Sequence, residues 1–338
     1  MRLRLLPLLL ALALALAGCA RSVPVPLPDA NAAPQLRETG IRTADGVCLP
    51  LQRWGPEEPH RVVLALHGFN DHGGSFDSLA RSLAEHEIAV YAYDQRGFGA
   101  TRDPGRWPGH PILAHDARTA LELLGERYPD RPPFLLGKSM GAAVSLLALT
   151  DGEPPPVAGS VLIAPAVWAR GTMPWYQRLG LWLGARTLPG MQVNGDMAAR
   201  LGIRPTDDPE VMQALRDDPL VRSTARIDTL DGLTTLMTLA LEAGDELPPP
   251  SLLLYGTEDD IVPPAPVAML LEDLAAAEAP GHRAVLYPDG FHMLTRYTGA
   301  AAVHADIAAW LLDTDAALPS GHERPPAAMA RQLRAPTD

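Results

Sequence analysis

Six short apolar runs, each ended within two residues by glycine, proline or aspartate, constrain this chain more than any other feature. They lie at 62–66 (VVLAL), 88–93 (IAVYAY), 134–136 (FLL), 161–164 (VLIA), 252–255 (LLLY) and 284–287 (AVLY). A run that is apolar throughout, with no polar alternation, fits a strand buried on both faces, as strands are in a parallel sheet. Helical patterns occupy the intervals at 75–86, 112–128, 140–149, 265–279 and 300–312. This alternation specifies an α/β fold, a mostly parallel central sheet flanked by helices, with right-handed crossovers. One interval, 168–247, breaks the rhythm with short helical patterns rich in Leu, Met and Trp and no convincing strand. It is read as a helical cap inserted over the carboxyl ends of the strands, where open α/β sheets hold their ligands. The alternative is a set of ordinary packing helices.

Composition narrows the partners. Of 338 residues, 47% are hydrophobic, enough for a large core and too many for a disordered chain. The formal net charge is −12. Such an acidic chain has little electrostatic reason to bind nucleic acid. Two cysteines, Cys19 and Cys48, can build neither a disulfide framework nor a zinc site. Cys48 is expected to be a small buried apolar residue.

The ends read as address and tether. Residues 1–17 carry Arg2 and Arg4 and then a Leu/Ala run too short to span a membrane comfortably, as in a secretory signal. The run closes on Leu16-Ala17-Gly18-Cys19, which resembles the lipobox of bacterial lipoproteins. The resemblance implies a signal peptide at 1–18 and acylation of Cys19. It also implies a lipid-anchored protein of the bacterial cell envelope, in the outer membrane because Ala20 rather than Asp follows the cysteine. Loss of Arg2 and Arg4 would take the charge from −12 to −14. Residues 19–38, with Pro24, Pro26, Pro28 and Pro34, form an expected extended tether. The main domain is then 39–313, and 314–338, rich in Ala and Pro, is expected to be a flexible tail.

Chemistry concentrates at the ends of the apolar runs. Gly137-Lys138-Ser139-Met140-Gly141 is a G-x-S-x-G between a strand and a helix. There a serine stands clear of the backbone and the glycines permit a tight turn. Such a serine needs a base and a group to orient that base, following in the order acid, then histidine. Gly256-Thr257-Glu258-Asp259-Asp260 follows one run, and Asp289-Gly290-Phe291-His292 follows the next. His292 would take the Ser139 proton, and a carboxylate would hold its tautomer. Oxyanion donors are expected from the N–H of Met140 and from the loop after the first apolar run, His67-Gly68-Phe69-Asn70, where Phe69 is assigned.

With these residues in place, the chain resembles the α/β-hydrolase superfamily. It is most similar to the monoacylglycerol lipase, lysophospholipase and serine aminopeptidase-like group. The group's H-G-x-x-[ED]-H is matched at 67–72, its D-x-R-G-x-G at 94–99 and its G-x-S-M-G at Gly137 to Gly141. Its G-x-x-D-x-x-V, matched at 256–262, selects Asp259 over Asp260. The resemblance implies a Ser139–His292–Asp259 triad and small-molecule acyl ester substrates. It implies no metal and no organic cofactor. Lys138 stands where the group usually has histidine, and is expected to be exposed, as a cation that could favour an anionic substrate. Thr101 replaces a common serine.

Other chemistries fit less well. His67-x-x-x-Asp71-His72 is close to a metallo-hydrolase H-x-H-x-D-H, but Phe69 occupies the middle ligand position. Gly97-x-Gly99 lacks the third glycine of a dinucleotide loop. Ser139 at the elbow excludes the aspartate nucleophile of dehalogenases. Thioester hydrolysis, acyl transfer, amide cleavage and perhydrolysis run on the same triad, and a ligand-binding lipoprotein without turnover could use the same fold. In the cap, Met173, Trp175, Leu181, Trp182, Leu188 and Met191 are read as an apolar acyl slot or as plain core.

Overall fold

The structure is a computed structural model that describes residues 33–194, 203–277 and 280–335. The expected signal peptide 1–18 and Cys19 lie outside the described residues, as does 195–202 of the cap interval.

The six apolar runs are the centre of one ten-stranded sheet. They form β4 (Arg61–Leu66), β5 (Ile88–Tyr93), β6 (Phe134–Lys138), β7 (Gly159–Ile163), β10 (Ser251–Glu258) and β11 (His282–Phe291). Their order is β5-β4-β6-β7-β10-β11, and every pairing among them is parallel. Period-two geometry sends alternate side chains to opposite faces. Val62, Leu64 and Leu66 enter one core, with α2 (His110–Arg127), α3 (Met140–Thr150), α6 (Ile227–Glu242) and α7 (Pro264–Ala276). Val63 and Ala65 enter the other, with α1 (Asp77–Ala84) and α8 (Ala300–Leu312). Each fully buried leucine or valine contributes about 1.5–3 kcal/mol. Both faces are therefore needed, which is why the strand sequences show no polar alternation. β5 and β6 flank β4 on opposite sides, so the chain changes direction across the sheet at β4. The loops after β4 and β6 meet at that switch point, where α/β sheets open a crevice.

Several expectations are corrected at the edges. The tether was expected to reach residue 38, but β1 (Gln35–Arg37) pairs antiparallel with β2 (Gly40–Arg42), and β2 with β3 (Cys48–Trp54), extending the sheet beyond β5. Cys48 is exposed, because Leu49 and Leu51 take the inward positions of β3. The flexible tail expected from residue 314 is folded through residue 335: β12 (Glu323–Arg324) pairs antiparallel with β11, and α9 (Pro326–Arg334) packs on α7. Met329 and Ala330 enter the larger core, and Arg334 binds Glu272 through two 2.7 Å hydrogen bonds.

The cap interval holds α4 (Trp175–Thr187), α5 (Pro209–Asp217) and a small antiparallel ribbon of β8 (Gln192–Asn194) and β9 (Thr224–Arg226) that the sequence did not announce. Its last helix is not a separate cap element. Leu236, Met237, Ala240 and Leu241 of α6 join the larger core, against α3. The plain-core alternative fails for several residues of α4 and its C-terminal side, since Trp175, Trp182, Leu188 and Met191 are all exposed.

Candidate active site

The elbow is built by close approach. A Cβ on Gly141 would lie 2.0 Å from the Leu66 carbonyl oxygen, and one on Gly137 would lie 2.5 Å from the Gly141 carbonyl oxygen. Both positions therefore require glycine if α3 is to start immediately beside β4 and β6. The sharp turn leaves Ser139 at φ 54°, ψ −116°, a conformation that costs a side-chain-bearing residue about 1–3 kcal/mol. Hydrogen bonds hold it from both sides. The Ser139 N–H donates to the Ile163 carbonyl at 2.9 Å, and its carbonyl accepts from Ala142 and Ala166 at 3.0 and 3.1 Å.

Two strands further across the sheet, the ends of β10 and β11 bring the acid and the base to this serine. His292 Nε2 lies 2.9 Å from Ser139 Oγ, and His292 Nδ1 lies 2.8 Å from Asp259 Oδ2. The other Asp259 oxygen accepts the backbone N–H groups of Ile261 and Val262, both at 2.9 Å. The Tyr255 hydroxyl donates to the Val262 carbonyl at 2.6 Å and so fixes the loop that carries Asp259. Asp259 and His292 are both buried. Nδ1–H donates to the carboxylate, which leaves Nε2 free to accept the serine proton. Asp259, not Asp260, holds the imidazole.

The loop after β4 forms the opposite wall. His67 is fully buried, and burial pushes its imidazole down, so the ring is neutral. Nε2 accepts the Gln95 N–H at 2.9 Å, so Nδ1 carries the proton and donates to the Gly68 carbonyl at 2.8 Å. That carbonyl is pinned, which fixes the peptide plane leading to Phe69. The Phe69 ring lies edge-on to Phe98, with centroids 5.5 Å apart. Met140 is the first residue of α3, so its N–H has no carbonyl one turn earlier to donate to and points out at the helix N-terminus. The Met140 and Phe69 N–H groups are the two donors the sequence names for an oxyanion.

Further residues, to which the sequence assigned no structural role, hold this frame. Asp94 accepts the N–H groups of Gly73 and Ala100, both at 2.8 Å, and so joins the first loop to the second. Arg96 binds Asp45 and Asp116, which explains why an arginine stands in D-x-R-G-x-G: it is a half-buried tie between two carboxylates, not a free surface charge. The hydrogen bond from Arg96 pulls the Asp45 carboxyl down to about 2. Lys138 is a correction. It is buried, not exposed, and its Nζ lies 2.7 Å from Asp71 Oδ2. Burial pushes the lysine down, and Asp71 pulls it back up. A cation so paired is not free to attract an anionic substrate.

The cap interval is fastened to two of these loops. Asp218 Oδ2 lies 2.9 Å from His72 Nε2, the Arg222 N–H donates to the Asn70 carbonyl at 3.0 Å, and Asn70 Nδ2 donates to the Thr224 carbonyl at 3.2 Å. On the histidine side, the Met293 N–H donates to the Pro205 carbonyl at 2.8 Å, and Thr206 Oγ1 donates to the Arg296 carbonyl at 2.7 Å.

The profile of the Hydrolase_4 family, described as serine aminopeptidase S33, matches residues 57–297, most of the chain. The chain belongs to this family. Among similar proteins, the monoacylglycerol lipase of Mycolicibacterium smegmatis is 29% identical over 280 residues, covering 79% of this chain and 94% of its own. The human monoglyceride lipase is 26% identical over 255 residues, covering 74% and 82%. Among solved structures, a soluble variant of the Saccharomyces cerevisiae monoglyceride lipase aligns with a TM-score of 0.67 at 20% identity, covering 87% of this chain and 97% of that one. The fold is the α/β-hydrolase fold.

Proposed function

We propose that this family member is a serine ester hydrolase acting on monoacylglycerol-like or short acyl esters through Ser139, His292 and Asp259. The observation that carries the reading is the unbroken relay from Asp259 Oδ2 to His292 to Ser139 Oγ, with steps of 2.8 and 2.9 Å. Ser139 Oγ attacks the ester carbonyl carbon as its proton passes to His292 Nε2. Asp259 orients the imidazole and stabilises its protonated form. The N–H groups of Phe69 and Met140 receive the negative charge that develops on the carbonyl oxygen. The alcohol leaves with the proton from His292. Water, deprotonated by the same histidine, then attacks the acyl carbon and releases the acid and the free serine. Lipase names among the relatives support a lipid-like acyl group.

Kinetics on a panel of acyl glycerols, lysophospholipids, thioesters and amides, run with wild type, Ser139→Ala and His292→Ala, test this. The expected outcome is preference for carboxylic esters with a dependence on acyl length, and a loss of about 10⁶-fold in kcat in each variant. Retained turnover in Ser139→Ala would refute the assignment, and thioester or amide preference would move the substrate class.

We also propose that the protein is anchored through acylated Cys19 to the outer membrane of a bacterial envelope. The support is the sequence Leu16-Ala17-Gly18-Cys19 followed by a proline-rich stretch. Palmitate incorporation that survives in Cys19→Ser would contradict it.

A further inference from the structure

Three loops supply the groups of the proposed reaction, and one carboxylate touches all three. Asp71 lies two residues beyond Phe69, Lys138 immediately precedes Ser139, and Arg296 follows His292 by four residues. Asp71 Oδ2 accepts from Lys138 Nζ at 2.7 Å and from Arg296 Nη2 at 3.0 Å. Its Oδ1 accepts the His72 backbone N–H at 3.0 Å. The side chains are 7%, 4% and 17% exposed for Asp71, Lys138 and Arg296 respectively.

Stability alone does not explain such a cluster. Apolar residues of the same volume would stabilise the fold as well or better, because two cations and a carboxylate must be stripped of water. What charged hydrogen bonds add is direction, since they hold donor and acceptor at set distances and angles. The packing around them is equally specific. A Cβ on Gly68 would meet Lys138 Cε and Ser139 Cβ, both at 3.5 Å, so the loop that carries Phe69 rests on the lysine stem and on the serine itself. The cap is fastened to the same places, at 70–72 and at Arg296.

We propose that Asp71, Lys138 and Arg296 form a positioning clamp that holds the Phe69 loop, the Ser139 elbow and the His292 loop in register for acyl transfer. This rests on the Ser139–His292–Asp259 reading. Each member acts through its neighbour in the chain and is a positioning residue. Breaking the clamp leaves the fold in place but lets the Phe69 N–H and the imidazole drift from the serine. Drift of about 1 Å is enough to cost about 100-fold in rate. The loss therefore falls on the transition state and spares ground-state binding.

The test is steady-state kinetics on a soluble acyl ester, with thermal unfolding and inhibition by an alkylboronic acid, whose serine adduct is tetrahedral. The variants are Asp71→Asn, Lys138→Met, Arg296→Met and Arg296→Lys, with Ser139→Ala alongside. The first three should lose about 10- to 100-fold in kcat, with KM moving less than about 3-fold and boronic acid affinity falling in parallel with kcat. Asp71→Asn combined with Lys138→Met should be no worse than the poorer single variant, because the members act as one unit. Arg296→Lys, which keeps the charge and a donor, should return kcat to within about 3-fold of wild type. Folded variants with unchanged kcat, whatever their loss of melting temperature, overturn the clamp, as does a loss confined to KM. If Asp71→Asn and Lys138→Met do not fold, Arg296→Met against Arg296→Lys decides the matter, since Arg296 is the least buried member. Activity in Ser139→Ala would bring down the serine reading and the clamp together. An inactive Ser139→Ala beside a fully active Arg296→Met would remove the clamp alone.

Discussion

Ser139 is the residue where local preference and site geometry conflict most openly. Its positive φ is tolerated because both flanking glycines let strand, turn and helix come closer than any side chain allows. Gly141→Ala should therefore destabilise the fold by about 3 kcal/mol, the upper range for overpacking, since the new methyl group meets a backbone carbonyl that cannot move away. Chemical denaturation would check this. Asp259→Asn should leave the fold intact and lower kcat by about 10⁴-fold, because an amide there favours the wrong imidazole tautomer. A kcat within 10-fold of wild type would show that the carboxylate is not what orients His292. Ser139, Asp259 and His292 were readable because each stands at the carboxyl end of an apolar run. The choice of Asp259 over Asp260 came from the resemblance, since two adjacent carboxylates in one loop look alike in sequence. Lys138 was misread for a physical reason. A lone lysine defaults to the surface, and the partner that makes its burial tolerable, Asp71, stands 67 residues away.

At the scale of elements, the strands buried on both faces were legible and the edge strands were not. β1, β2 and β12 have only two or three residues and carry Gln35, Arg37, Arg42, Glu323 and Arg324, so no apolar run marks them. They exist because a paired neighbour offers a free edge, which composition does not record. The same holds for α9, whose Ala- and Pro-rich sequence reads as a tail until Met329 meets the core. Met329→Ala should destabilise the protein by about 3 kcal/mol, whereas a flexible tail would register nothing. Removing 323–338 should cost more, by uncovering α7 and the edge of β11. Thermal unfolding of the two variants separates these outcomes. The cap interval was recognised by its missing strands, but its last helix had already returned to the core at Leu236. An amphipathic pattern names a buried stripe without saying which neighbour buries it.

The whole molecule should lose stability on acidification in two stages. Burial pushes His67, His282 and His304 down, so below about pH 6.5 the unfolded chain binds protons that the folded chain refuses. Stability then falls with pH. A second loss follows between about pH 4 and the Asp45 value of about 2, as the Arg96–Asp45 pair is protonated away. Asp116, which burial pushes up, opposes that second stage in part. Melting temperatures measured from pH 7.5 to 3 should decline throughout, and Asp45→Asn should flatten only the lower limb. A melting temperature that rises between pH 7 and pH 5 would contradict the burial of these histidines in neutral form. The fold, the attachments of the cap interval and the ionic ties around these loops converge on the arrangement proposed for catalysis, Ser139 beside His292 and Asp259 where four strand ends meet. The measurement that bears on this most directly is labelling of the intact protein with a fluorophosphonate, followed by peptide mass mapping. A single adduct on Ser139 is expected, absent in Ser139→Ala and much slower to form in His292→Ala. Labelling at another residue, or none in a folded and undegraded protein, would contradict it.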